Sequence, residues 1–344
     1  MAFPPSLTMN RHPRTDPLPW LLDRETPAVR AAALQRLCGA SDDDRDVRAA
    51  RAAAMRAAPI KSILDQQNDA GWWVKPGPGY APKYRSTVWS VMFLDQLGAD
   101  PRHRQVVKAV DYLLATSATA TGGFGCSGAK EERPPPPSAV IHCLNGNLLR
   151  AFIGFGRLDD VRVQAAIDWT ARAITGEHMD RWYASSTPGP GFACGANEKL
   201  PCAWGAVKQL LGLARVPDGE RSALVRRAVD RGVDFLLSVD PATAMYPMGW
   251  GNTKPNGSWF KLGFPSGYVT DVLQVLEALG ELGHGKDPRL ANALEWVEKK
   301  QTPDGVWLNE YAYNGKTWSD VERQGQPSKW VTLRACAVLH AAYG

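Results

Sequence analysis

Trp296-Val297-Glu298-Lys299-Lys300-Gln301-Thr302-Pro303-Asp304-Gly305-Val306-Trp307 is the stretch that decides the fold. It reads as an aromatic, an aliphatic, spacers, Gln, more spacers, then Gly-x-Trp. That order predicts the end of a helix, a tight Gly turn, and a Trp folded back onto the helix. Weaker copies lie upstream. Lys108-Ala109-Val110-Asp111-Tyr112-Leu113 leads to Gly123-Phe124-Gly125, and Arg231-Gly232-Val233-Asp234-Phe235-Leu236 leads to Gly249-Trp250-Gly251. Gln67 leads to Gly71-Trp72-Trp73. A helical unit repeated at long spacing predicts a closed ring or an array, not a sheet-based fold.

The anchor aromatics Tyr112, Trp169, Phe235 and Trp296 recur at intervals of roughly 60 residues, one helical hairpin plus one long loop. Periodicity and stop signals predict helices over about 27–38, 42–57 and 59–67 at the front. Hairpins follow over about 86–97 with 103–116, 138–155 with 160–174, 201–214 with 219–238, and 268–283 with 287–301. A last helix over about 328–342 brings the total to about twelve. Ser41 with Asp44 fits a capping box for the second helix. The long loops 117–137, 176–200, 239–267 and 302–327 hold most of the Gly, Pro and Trp and follow every second helix. They are expected to cluster on one rim, where repeat scaffolds carry binding sites. Residues 1–25 read as an extended, Pro-punctuated lead-in, and no linker splits residues 26–344.

The chain has 344 residues, 44% hydrophobic and 22% charged, the make-up of a globular protein with a large core. The formal net charge of +5 is dispersed, with no basic arm, so nucleic-acid binding is not expected. No apolar run reaches the ~18 residues of a membrane-spanning helix. Met1 to Trp20 lacks the apolar core of a secretory signal. Six widely spaced Cys without such a signal predict reduced thiols and a cytoplasmic protein.

The Gln-to-Gly-x-Trp units resemble the QW repeats of squalene–hopene cyclases and the related repeats of protein prenyltransferase beta subunits. Lys83-Tyr84-Arg85-Ser86-Thr87-Val88-Trp89, Cys143-Leu144-Asn145-Gly146-Asn147, Cys202-Ala203-Trp204-Gly205-Ala206-Val207-Lys208 and Pro327-Ser328-Lys329-Trp330 look like a bacterial group of short prenyltransferase/squalene-oxidase-repeat proteins. The resemblance covers roughly residues 20 to 344. It implies an all-α fold, a single α/α toroid (an (α/α)6 barrel) over 26–344, whose six inner helices surround a cavity for an isoprenoid or another lipid-like molecule. Two departures matter. The Asp-x-Asp-Asp acid of alkene-protonating cyclases is absent, and so is the Asp-x-Cys of zinc-binding protein prenyltransferases.

Within that frame the residues suggest roles. Asp271 opens a strongly apolar helix, and a desolvated carboxylic acid donates protons. Tyr268, one turn earlier, is placed to share a hydrogen bond with it. The competing reading of Asp271 is a first-turn acid serving the helix dipole. Arg85, Lys208, Lys261 and Lys329 stand near the starts of inner helices and would converge on an anionic substrate end, or else are independent surface cations. Trp72, Trp73, Trp89, Trp204, Trp250, Trp259 and Trp330 are candidates to line the cavity and shield cations, with Trp204, Trp259 and Trp330 foremost, whereas Trp72 and Trp307 also fit structural wedges. Cys126, Cys143, Cys194 and Cys202 fall in or beside two successive rim loops. Together they suggest a tetrahedral zinc site or buried packing thiols. Asp42-Asp43-Asp44-Arg45-Asp46 matches a magnesium–diphosphate pattern but sits at a helix start.

The leading expectation is a terpene-cyclase-like enzyme that carries out acid-initiated cyclisation or isomerisation of an apolar small molecule without a cofactor. A polysaccharide lyase or glycosidase acting on acidic sugars is one alternative. A non-catalytic lipid- or partner-binding toroid is the other.

Overall fold

The structure is a computed structural model and describes residues 15–127, 133–179 and 190–344. Among the described residues there are thirteen α-helices: α1 (Leu18–Leu21), α2 (Pro27–Arg36), α3 (Arg45–Ala54), α4 (Ile60–Leu64), α5 (Thr87–Gln96), α6 (Arg104–Ser117), α7 (His142–Gly154), α8 (Val161–Thr175), α9 (Ala203–Leu213), α10 (Ala223–Leu237), α11 (Val272–Glu281), α12 (Ala291–Lys299) and α13 (Lys329–Tyr343). Among the described residues the only named strands are two-residue pieces, β1 (Trp307–Leu308) and β2 (Pro327–Ser328), paired antiparallel. No helix is long and apolar enough to cross a membrane, among the described residues.

The chain is an all-α toroid. Helices α5, α7, α9, α11 and α13 pack in that order as successive neighbours, and α13 packs on α2. All but α13 have an outer partner in sequence: α6, α8, α10 and α12 cover α5, α7, α9 and α11, and α3 covers α2. The sequence dictates this layering. Inner α5 and α9 are apolar nearly all round and buried along most of their length. Outer α6, α10 and α12 bury one stripe and show solvent the other. The closest helix pair is α7 with α9, allowed by Gly146 and Gly212, where a Cβ would overlap the backbone of the facing helix.

Three turns between hairpins share one geometry. The indole N–H of Trp307 donates to the Val297 carbonyl (2.7 Å), and its backbone N–H donates to Thr332 Oγ1 (2.9 Å). Trp73 repeats both bonds, to Ile63 (2.7 Å) and Thr87 (3.1 Å). Phe124 keeps the backbone bond, to Asn145 Oδ1 (2.8 Å). Gln301 and Gln67 hold the turns through the Gly305 and Gly71 carbonyls. The inner wedge of the first unit is therefore Trp73, fully buried, and not the half-buried Trp72. Trp250 is 71% exposed and wedges nothing. In that repeat the buried Tyr246 takes the place, its hydroxyl donating to the Leu236 carbonyl at 2.9 Å.

Other expectations need correction. Residues 18–21 form a helical turn with Leu21 buried, so that part of the lead-in is not extended; residues 1–14 lie outside the described residues, as do parts of the loops 117–137 and 176–200. The cap of α3 is Asp44, whose carboxylate accepts from the Asp46 N–H at 2.7 Å, in place of Ser41. Asp42 pairs with Arg51 at 2.8 Å, so the acidic run serves a helix start.

Candidate functional site

A cavity of about 710 Å³ lies at the rim formed by the first turns of α7 and α9. Its aromatic wall comprises Tyr80, Trp204, Tyr246, Trp250, Trp259 and Tyr268. The size and lining match pockets for small apolar ligands. Neighbouring rings brace each other: Trp259 packs on Tyr246 (5.3 Å between centroids) and Trp204 on Tyr268 (6.3 Å). No Asp or Glu stands among the described lining residues.

Polar groups enter the wall at several places, Ser127, Ser138, Asn252 and Asn256 among them. On one side the Lys83 ammonium lies over the rings of Tyr80 (5.3 Å) and Tyr268 (5.0 Å) and donates to the Tyr268 hydroxyl at 3.3 Å. Burial raises the Tyr80 phenol, with Lys83 opposing it. On the other side are the thiols of Cys126, Cys143, Cys194 and Cys202, beside buried His142. His142 Nδ1 is 3.1 Å from Gln209 Nε2, and the amide of Asn145 joins Gln209 to Thr170 behind it.

The sequence expectation thus has the four cysteines in one cavity. They do not make a zinc centre: among the described residues no three His, Cys, Asp or Glu side chains are grouped closely enough to hold an ion. Burial pushes the Cys143 thiol up to about 12, away from the thiolate a metal needs. The thiol of Cys126 rises for the same reason.

Trp204, Trp259 and Tyr268 line the cavity, and the Tyr268 hydroxyl bonds to Lys83 and not, as expected, to Asp271. Trp89 is one layer back, its indole donating to the Tyr80 carbonyl at 2.8 Å and its ring packed on Tyr80 and Tyr268. Trp330 stacks flat on Phe264 at 4.4 Å and faces a different cavity. Asp271 lies outside the wall. It caps α11, one oxygen accepting from the Gln274 N–H (2.8 Å) and the other from the Gly263 N–H (3.3 Å). Burial raises its carboxyl, and the Arg334 charge opposes that rise.

The cations do not converge. Arg85 donates to the Gly315 carbonyl at 3.3 Å and lies over Trp318. Lys208 is buried mid-toroid and donates to Gln274. Lys329 holds Thr26 (2.9 Å) and Asp23 (3.3 Å). Lys261 is exposed. Arginines gather instead at the opposite end of the inner helices, around a polar cavity of about 380 Å³ that includes Arg36, Arg150, Arg215 and Arg334 with Asp95 and Glu277. There Arg334 forks onto Glu277, at 2.6 Å in its shortest contact, and both are buried.

Lys83 and Tyr80 carry no obvious sequence signal beyond a Lys three residues after a Tyr. The neighbourhood of Cys194 and Cys202 was readable only as a short interval.

No protein-family model matches the chain, and no curated protein matches it. Among solved structures it is similar to the apo type II terpene cyclase MstE from Scytonema, at 16% identity over 92% of this chain and 87% of that one, with a TM-score of 0.45. A protein from Actinoplanes matches at 16% identity over 86% of this chain and all (100%) of that one, TM-score 0.32. A variant of the Scytonema cyclase in complex with geranylgeranyl dihydroxybenzoate matches at 15% identity over 85% of this chain and 97% of that one, TM-score 0.32.

Proposed function

We propose that this chain is a terpene-cyclase-like enzyme that takes an isoprenoid or similar apolar small molecule into the aromatic cavity and converts it by acid-initiated isomerisation or cyclisation. The cavity carries this reading: about 710 Å³, walled by six aromatic rings. Such rings bury an apolar chain and stabilise positive charge developing on it.

The donor facing the substrate is the Tyr268 phenol. Lys83 donates to its oxygen, a bond that does not use the phenol hydrogen. A phenol serves a substrate that carries oxygen, such as a carbonyl or enol, better than a plain alkene. Asp271, three residues on, is a positioning residue: it ties the Gly263 backbone to the start of α11 and so fixes the loop that bears Tyr268.

Binding is tested by tryptophan quenching and turnover by product mass and retention, with geranylgeranyl dihydroxybenzoate as the first probe. Expected is an isomer of unchanged mass, lost in Tyr268→Phe with binding retained. Asp271→Asn keeps a capping side chain and is expected to remain active. Loss of activity in folded Asp271→Asn with retention in Tyr268→Phe returns the donor role to Asp271. Absence of quenching by any prenylated probe, with quenching by an acidic oligosaccharide, overturns the reading in favour of sugar chemistry.

A further inference from the structure

Residues 192–202 fold back on themselves beside the cavity. Ala193 bridges Pro201, the Cys194 N–H donates to the Leu200 carbonyl (3.2 Å), and the Cys202 N–H donates to the Phe192 carbonyl (2.8 Å). Asn197 locks the turn, its amide donating to the carbonyls of Pro201 (3.0 Å) and Pro247 (3.1 Å). This places Cys194 and Cys202 on the same face of the turn, side by side in the cavity wall. Both are only partly buried, so a cavity ligand reaches them. The zinc reading does not use this pair, and the proton donor proposed above does not need it.

We propose that Cys194 is a nucleophile, with Cys202 as its proton partner, for reversible conjugate addition to an α,β-unsaturated carbonyl compound of isoprenoid type held in the cavity. The inference rests on the reading that the cavity takes an isoprenoid, and it names the functional group that substrate carries.

The chemistry follows from the pair. Two neighbouring thiols share one charge well, because the proton left on one sulfur stabilises the thiolate on the other. The Cys202 thiol is the main cause that brings Cys194 down to about 6, against desolvation and helped by the N–H groups of Ala196 and Asn197. The nearby Cys194, with burial, in turn holds the proton on Cys202. The other titratable group acting on the pair is the Cys143 thiol, which stays protonated. In the step, the Cys194 sulfur forms a bond to the β-carbon. The alkene electron pair moves to the α-carbon, which takes the proton from Cys202 and leaves that sulfur as the thiolate. Rotation about the new single bond, return of the proton to Cys202 and expulsion of Cys194 regenerate the alkene in its other geometry. Atoms and electrons balance with no added oxidant or reductant. The Tyr268 phenol of the same cavity supplies a hydrogen bond to the carbonyl oxygen as charge moves onto it.

The test uses the intact chain under a phosphine reductant with citral, an unsaturated isoprenoid aldehyde, and with geraniol, its non-electrophilic alcohol. Expected are one citral adduct per chain, fixed by borohydride and mapped to Cys194, and interconversion of the two citral geometries. Cys194→Ser is expected to lose both by at least about tenfold while geraniol still quenches the cavity tryptophans. Cys202→Ser is expected to keep addition and move its pH midpoint upward. As a measurement that needs no variant, iodoacetamide is expected to label Cys194 of the unaltered chain with a midpoint near 6. Geraniol binding with adducts spread over the exposed Cys38, or formed no faster than on free cysteine, overturns the nucleophile proposal alone. No binding of either compound overturns the isoprenoid reading beneath it.

Discussion

The Tyr246 hydroxyl donates to the Leu236 carbonyl, ten residues upstream, and thereby does what the Trp307 indole does for Val297 and the Trp73 indole for Ile63 at the same separation. One aromatic donor thus caps an outer helix end in each of three turns and wedges between hairpins. Tyr246→Phe keeps the ring and removes the bond. It is expected to cost about 1 kcal/mol, the worth of one such bond plus a stranded carbonyl. Trp307→Ala also opens a void and is expected to cost about 3–5 kcal/mol. Urea denaturation of the three chains reads the difference, and no loss in Tyr246→Phe would show that the hydroxyl bond is not what Tyr246 contributes.

The Glu277–Arg334 pair gives the toroid an acid limit. Burial alone would raise the Glu277 carboxyl, but the charge and hydrogen bonds of Arg334, with Arg36 and Arg150, hold it at about 2. A carboxyl lowered in the folded state contributes stability that is present above its unfolded pKa near ~4.3 and is lost as pH falls through the folded value. Melting temperature is therefore expected to drop between about pH 4 and pH 2. Glu277→Gln is expected to lose about 3–5 kcal/mol at pH 7, since it leaves Arg334 buried without its partner, and to flatten that acid slope. A variant as acid-sensitive as the parent would place the transition elsewhere.

Lys208 acts at the other end of the scale. Burial lowers its ammonium to about 7, with Asp271 partly opposing. Above that value the folded chain binds fewer protons than the unfolded one, so stability rises with pH from about 7 towards about 10. Lys208→Met is expected to remove the rise and to be at least as stable at pH 6. Denaturation midpoints at several pH values decide it; a parent whose midpoint falls over that range contradicts the assignment.

Gly146 is the tightest point between inner helices. A Cβ there would overlap the Lys208 carbonyl of α9. Gly146→Ala is expected to cost about 2–3 kcal/mol by forcing the two helices apart, despite Ala's better helix propensity. A neutral or stabilising result in thermal melts would mean that α7 and α9 yield more easily than their backbone contact implies.

The ring itself was legible in the chain. Helix hairpins of constant length, closed by Gly turns and aromatic anchors, leave few other ways to bury their stripes. In the Gly249 repeat the motif's aromatic after the Gly, Trp250, lines the cavity instead of wedging. The structure fixes the wedge by reach to a helix-end carbonyl, which Tyr246 attains from before the Gly. The cations were misplaced for a related reason. Proximity to a helix start says nothing of which way the helix is turned, and Lys208, a full turn inside α9, points to Gln274 of α11 and not to the rim. Asp271 was correctly read as buried at a helix start, but its two N–H partners come from a loop whose path no periodicity encodes. Cys194 and Cys202 meet because of a reverse turn that leaves no apolar pattern.

The contact of α13 with α2 has a consequence for how the protein is made. Every hairpin can form from neighbours in sequence, but the ring is sealed between its ends: Lys329 reaches Thr26 and Asp23, and Gly305 abuts the backbone of Thr15. While the chain emerges from the ribosome, the inner faces of the early helices wait, apolar and uncovered, for the last helix to arrive. The toroid is therefore an open arc for most of its synthesis. Its exposure to misassembly ends only when the last helix docks, so the first and last helices together act as a clasp.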